Sequence, residues 1–202
     1  MVDDRTLHVI DDDDAVRDSL TFLLSTAGFK VAAHESAVAF LQELPGLNPA
    51  CVITDVRMPG TSGMELLQQL SSRDAAIPTI IITGHGDIPL AVEAMKLGAV
   101  DFIEKPFEDE AILGAVRIAM DRRNKGAVSE AGRSEIRDLL AALSARERQV
   151  LDGLVAGNAN KIIARDLGIS PRTVEIYRAN VMTKMKARSL SELVRMSLQA
   201  GV

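Results

Sequence analysis

The 202-residue chain has a single cysteine, Cys51, so it has no internal disulfide, and a thiol inside an apolar segment reads as plain core. No apolar run approaches the ~18 residues that a membrane-spanning helix needs, so no membrane partner is expected. The start, Met-Val-Asp-Asp, lacks the basic-then-apolar plan of a secretory signal, and a reducing cytoplasm is the expected compartment. The net charge of −5 hides an asymmetry: residues 1–123 carry 20 acidic and 10 basic side chains, residues 124–202 carry 8 and 13. An acidic front half and a basic rear half point to two domains with different partners, the rear one suited to nucleic acid.

The front half is organised around Cys-Val-Ile-Thr-Asp-Val-Arg-Met-Pro-Gly at 51–60. A short apolar, β-branched run predicts a buried strand, and it ends on the carboxylate of Asp55 before Pro59 and Gly60 break the chain. Further strands are predicted at 7–10, 30–33, 79–83 and 100–103, and helices at 15–27, 37–44, 64–70, 90–97 and 108–121. Five strands alternating with five helices predict an α/β fold, a parallel sheet covered on both faces. In such a sheet the ends of the strands gather at one edge, where ligands bind. Asp11, Asp12, Asp55, Thr83 and Lys105 all fall at strand ends. Three carboxylates in one crevice require a cation, and hard oxygen ligands without His or Cys among them favour Mg²⁺. Lys105 and the Thr83 hydroxyl add donors for an anion, so the set suits a phosphoryl group carried by Asp55. Asp13 and Asp14 read as helix-capping acids. His85 lies between Gly84 and Gly86, a loop setting that argues against its acting as a general base.

Four stretches, Val-Ile-Asp-Asp-Asp-Asp, Thr-Asp-Val-Arg-Met-Pro-Gly, Ile-Ile-Thr-Gly-His-Gly-Asp and Glu-Lys-Pro-Phe, resemble in order the signatures of the response-regulator receiver domain over about residues 5–121. The resemblance implies that Asp55 accepts a phosphoryl group from a sensor histidine kinase. It implies that Asp11, Asp12, Asp55 and the Arg57 backbone carbonyl hold Mg²⁺. It also implies that Thr83 and Lys105 contact the phosphoryl oxygens, that Phe102 is the aromatic that turns inward, and that Lys105-Pro106 is a cis peptide. The activated receiver is expected to dimerise through the face spanning residues 90–121.

Residues 123–138 have linker composition, with some helix expected near 136–143. In the rear half, Ser144-Ala-Arg-Glu147 reads as a capping box for a helix that stops at Gly157, and a short helix follows at 160–167. Ser170 and Pro171 then open a third helix to about Lys186, and residues 189–199 form a fourth. Helix, glycine turn and helix make a helix-turn-helix plan. On the third helix Val174, Tyr177, Val181 and Met185 form the core stripe. The opposite stripe, Arg172, Glu175, Ile176, Ala179, Asn180 and Thr183, suits a major groove: Ile176 and Ala179 against thymine methyls, Glu175 accepting from cytosine N4. Lys161, Arg178, Lys184, Lys186 and Arg188 are spaced to meet phosphates.

Leu-Ser-Ala-Arg-Glu-Arg-Gln-Val-Leu at 143–151, Asn-Lys-Ile-Ile-Ala-Arg at 160–165 and Ile-Ser-Pro-Arg-Thr-Val-Glu-Ile-Tyr at 169–177 resemble the LuxR/NarL-type DNA-binding domain. In this resemblance Thr173 joins the DNA-contacting set, while Glu175 departs from the base-reading lysine of nitrate-type relatives, so their target sequence does not transfer. Together the two resemblances imply a receiver at 1–122, a linker at 123–138 and a DNA-binding domain at 139–202. They imply a transcription activator of the nitrogen-fixation type, working on double-stranded promoter DNA with RNA polymerase, and no enzyme beyond its own phosphoryl chemistry. A small-molecule phosphotransferase would need a second acid two residues after the nucleophile, and position 57 is Arg. A protein-only adaptor is disfavoured by the basic helix-turn-helix.

Overall fold

The structure, a computed structural model, describes residues 6–72, 77–125 and 130–201. The described residues fall into two compact units, one within 1–85 and 97–126, the other within 86–96 and 127–202. The first five residues, and 126–129 of the segment expected to link the domains, lie outside the described residues. No described helix is long and apolar enough to cross a membrane.

In the first unit β1 (Thr6–Ile10), α1 (Asp14–Thr26), β2 (Lys30–His34), α2 (Ala37–Glu43), β3 (Cys51–Asp55), α3 (Gly63–Ser71) and β4 (Thr79–Thr83) follow one another. After α4 (Ile88–Lys96), which groups with the second unit, come β5 (Asp101–Glu104) and α5 (Asp109–Lys125). The strands form one parallel sheet in the order β2-β1-β3-β4-β5, as the alternation predicted. All residues of β3 and β4 are buried, which is why both read as unbroken apolar runs. Successive residues alternate between faces: Leu7, Val9 and Ile53 pack with Leu20, Leu24, Ile112 and Val116, while Ile10 and Val52 pack with Phe40, Leu66 and Leu70. His8 and His34 share a 2.9 Å contact on the Phe40 side, and burial pushes the His34 pKa down against the opposing pull of Glu43.

In the second unit α6 (Glu130–Ala141), α7 (Ala145–Val155), α8 (Asn160–Leu167), α9 (Pro171–Lys184) and α10 (Leu190–Ala200) enclose a core of Val150, Leu151, Leu154, Ile163, Val174, Val181 and Leu193. The segment read as a linker is thus helical from Glu130, and Ile136 and Leu140 are buried in this core. Four residues separate these two apolar positions, one helical turn, so a single face of an otherwise charged segment carries them. Gly168 ends α8 at φ 65°, and Ser170 with Pro171 starts α9 two residues later, which makes the turn of the helix-turn-helix.

One glycine sets how closely a helix approaches the strand ends. Ser62 and Glu65 form a capping box at the start of α3, and a Cβ on Gly63 would stand 2.0 Å from the Asp55 carbonyl oxygen. Gly63→Ala is expected to lower stability by ~1–3 kcal/mol, as overpacking does. Gly114→Ala in α5, where a Cβ meets nothing within 4 Å, should raise it by ~0.4–1 kcal/mol. Urea midpoints for the two variants check both signs.

Candidate functional site

The sheet brings β1, β3, β4 and β5 to one edge with their carboxyl ends together. Asp11 leaves β1 buried, while Asp12 and Asp13 face solvent and Asp13 caps α1 through the Ala15 and Val16 amides. Asp55 ends β3, also buried. Lys105 follows β5, and its ammonium lies 2.7 Å from Asp11 Oδ2 and 2.8 Å from Asp55 Oδ1. The second Asp55 oxygen accepts the Arg57 main-chain N–H at 2.5 Å. Burial disfavours the Lys105 charge, but the hydrogen bonds to Asp11 and Asp55 outweigh it and hold its pKa above the ordinary lysine value.

Thr83, buried at the end of β4, accepts the His85 amide at 3.3 Å and lies 3.5 Å from its carbonyl oxygen. The Lys105 main-chain N–H donates to the Thr83 carbonyl at 2.7 Å, so the two residues are also tied through backbone. Phe102 pairs with Ile81 on half-buried β5, two residues short of the Thr83–Glu104 pair, so Phe102 and Thr83 take the same face. Lys105-Pro106 is cis. Arg17, which spacing did not single out, donates to the Asp11 carbonyl at 2.6 Å and pairs with Asp14, steadying the acidic run.

Asp11, Asp55 and Lys105 therefore meet, and Thr83 sits beside them on the next strand end, but Asp12 does not join. Among the described residues no three His, Cys, Asp or Glu side chains converge as a metal cage. Two carboxylates facing one ammonium still fit a hard divalent cation that keeps most of its water, as Mg²⁺ does.

On α9 the helical stripe comes out as its spacing predicts. Val174, Val181 and Met185 are buried, and Arg172, Glu175, Ile176, Ala179, Asn180 and Thr183 are exposed. Ile176 is 56% exposed, a large apolar side chain left in water in the middle of a polar face. The Thr173 hydroxyl is 2.8 Å from Ser170 Oγ and completes the helix cap, while Lys161 is exposed near the start of α8 and Arg178 half-exposed on α9. Lys184, read from spacing as a phosphate contact, has a partner within the protein: its ammonium is 2.7 Å from Glu147 Oε2 on α7. Glu147 also closes the Ser144 capping box, and the Lys184 and Ser144 hydrogen bonds bring its pKa from 4.5 to about 2. Sequence spacing showed Lys184 as one of a basic row because its partner stands 37 positions upstream.

A family model described as the response regulator receiver domain matches residues 7–117, and one described as bacterial regulatory proteins of the luxR family matches residues 141–197. Transcriptional regulatory protein FixJ of Azorhizobium caulinodans is 61% identical over 202 residues, 100% of this chain and 96% of that protein. FixJ of Rhizobium meliloti is 54% identical, over 98% and 97% of the two chains. Response regulator protein TodT of Pseudomonas putida is 42% identical, over 95% and 84%. Among solved structures, full-length FixJ from B. japonicum superposes with a TM-score of 0.57 at 57% identity, covering 98% of this chain and 97% of that one.

The Glu147 carboxylate gives the second unit an acid sensitivity. Its contribution to stability is complete above about pH 4.5 and is lost as pH falls towards about 2, because the unfolded state then takes up the proton first. Glu147→Gln keeps a capping side chain but removes the charge. Tyr177, the one tyrosine in a chain without tryptophan, reports on this unit by its fluorescence. Denaturation followed there should show the variant less stable than wild type at pH 7, with the gap closing below pH 4.5; a gap independent of pH would remove the charge from the account.

Proposed function

The chain belongs to the response regulators that join a receiver domain to a LuxR-family DNA-binding domain, and from that premise we propose that it is a FixJ-type transcription activator switched on when Asp55 takes a phosphoryl group from a FixL-like sensor histidine kinase. The observation that carries this reading is the pairing of Asp55 with Lys105 at 2.8 Å at the end of a buried strand. A carboxylate so placed attacks the phosphorus of a phosphohistidine: the Asp55 O–P bond forms, the histidine N–P bond breaks, and the imidazole leaves. The Arg57 amide at 2.5 Å orients the carboxylate, and the Lys105 ammonium offsets the negative charge on the transferred group. Asp11, Asp55 and the Arg57 carbonyl are the oxygens that would hold Mg²⁺, with Asp12 joining them only if its exposed side chain turns towards the ion, and the ion when bound would neutralise phosphoryl charge.

Transfer to Asp55 replaces one carboxylate charge by a dianionic group beside Thr83. The Thr83 hydroxyl, held among the described residues by loop contacts of 3.3 and 3.5 Å, moves towards it, and Phe102 on the same face turns into the space left. The face spanning residues 90–121 then becomes self-complementary and two copies associate about a two-fold axis. A dimer presents two α9 helices to successive major grooves of double-stranded promoter DNA, about one helical turn apart or a multiple. Arg172, Glu175, Ile176 and Ala179 read bases, Lys161 and Arg178 meet phosphates, and Thr173 fixes the start of the helix. Bound there, in the cytoplasm, the dimer engages RNA polymerase at nitrogen-fixation or microaerobic genes. The only chemistry is phosphoryl transfer to Asp55 and its own hydrolysis.

Asp55→Asn is expected to abolish Mg²⁺-dependent labelling by acetyl phosphate; label retained at full yield on the variant would exclude Asp55 as nucleophile. Thr83→Ala should still take label yet stay monomeric on gel filtration where labelled wild type dimerises. For the DNA interface, Glu175→Ala should cost ~1–3 kcal/mol of discrimination at one base pair. Lys161→Ala should weaken all sequences alike and lower the salt slope by about one. Both are read from binding to an operator library.

A further inference from the structure

Lys184 closes α9, and its ammonium reaches back to the Glu147 oxygen that also accepts the Ser144 main-chain N–H, each at 2.7 Å. The two halves of this pair are unequal. The Glu147 side chain is 6% exposed and fixed by its capping box, whereas that of Lys184 is 42% exposed on a flexible stem. A rigid acceptor therefore holds a mobile donor. Lys184 also lies 3.5 Å from the Ala142 carbonyl just past α6. The other end of α9 is set by Ser170, which accepts the Thr173 amide, and by Pro171. With both ends held, the exposed stripe from Arg172 to Thr183 has one height and one roll. Side chains that read a partner need to be placed within about 0.5 Å and 10–20° of their productive position.

We propose that Glu147 and Lys184 are positioning residues for base recognition: their ion pair sets α9 so that Glu175 and Ile176 meet base edges, and Lys184 does not bind a phosphate. This rests on the DNA-reading role proposed above for α9. It reverses the expectation from spacing, which put Lys184 in the phosphate-gripping row. A phosphate contact would require the ammonium to leave a partner that remains buried, and breaking such a pair strands a charge.

The test uses the full chain treated with acetyl phosphate and Mg²⁺. A duplex selected by wild type from a random library, and the same duplex with one selected base pair changed, are bound across a salt series. Lys184→Met and Glu147→Gln should each reduce the affinity ratio of the two duplexes about tenfold, with the double variant no worse than either. Lys184→Arg should restore the ratio, and the salt slopes should match wild type. A slope lower by about one for Lys184→Met with the ratio intact would overturn the proposal, because that is the mark of a phosphate contact. Additive losses in the double variant would overturn it as well. Should Glu147→Gln fail to fold, Lys184→Met and Lys184→Arg, at an exposed position, decide the question alone. Failure of wild type to select any sequence would bring down the DNA-reading role itself, a result visible before any variant is made.

Discussion

Two buried carboxylates at neighbouring strand ends repel, and the Lys105 ammonium between Asp11 and Asp55 is what allows them to face the same space. Much of the receiver follows from that bridge. In the order β1-β3-β4-β5 the lysine stands two strands from Asp55, so its side chain reaches over the end of β4. The residue at that end is Thr83, whose carbonyl accepts the Lys105 amide. Any change in the charge on Asp55 is therefore felt by the lysine and by the hydroxyl under it before anything else. Gly63 belongs to the same arrangement, since only a residue without Cβ lets α3 begin against the Asp55 carbonyl.

The energetics explain why the site is poised and not inert. A buried pair is a poor source of net stability, but removing one partner leaves an uncompensated charge, typically at a cost of ~3–5 kcal/mol. Asp11 and Asp55 thus hold Lys105 in place without making the apposition favourable in itself. A transferred phosphoryl group brings more charge than the carboxylate it modifies, and the lysine has reason to follow it. Thr83 is held by two long hydrogen bonds to a glycine-flanked loop, so its reorientation gives up little.

Most of this was readable from the chain because strand ends are marked by composition. Ile-Thr-Asp before Arg-Met-Pro-Gly, or Ile-Ile-Thr before Gly-His-Gly, states both the strand and its end, and parallel topology does the rest. The α9 stripe was readable for the same kind of reason, since period 3.6 separates Val174, Val181 and Met185 from Glu175, Ile176 and Ala179. What escaped were matters of pairing across distance. Asp12 has the residue type of a ligand, yet successive residues leaving an extended strand point opposite ways, and it ends in solvent while Asp11 does not. Arg17 looked like one helix-surface cation among others, and its reach back to the Asp11 carbonyl depends on how α1 leaves the loop. In α6 the apolar positions are too few to outweigh the surrounding charge, and Ile136 and Leu140 show their role only in the shared core, where α6 packs on α10.

The same chemical pair, a lysine ammonium on an anchored carboxylate, occurs in both units with opposite consequences. In the function proposed above the Asp55 carboxylate is itself the reacting group, so the lysine would be bound to something that changes, and the bridge would work as a relay. At Glu147 the carboxylate is committed to Ser144 through a cap and no reaction reaches it, so the lysine is bound to something that stays, and the bridge works as a peg. Exposure follows function: the Lys105 side chain is 22% exposed and that of Lys184 42%. Water beside Lys184 weakens the attraction but does not move the acceptor. A peg needs only a fixed point, whereas a relay needs low dielectric around the charge that changes.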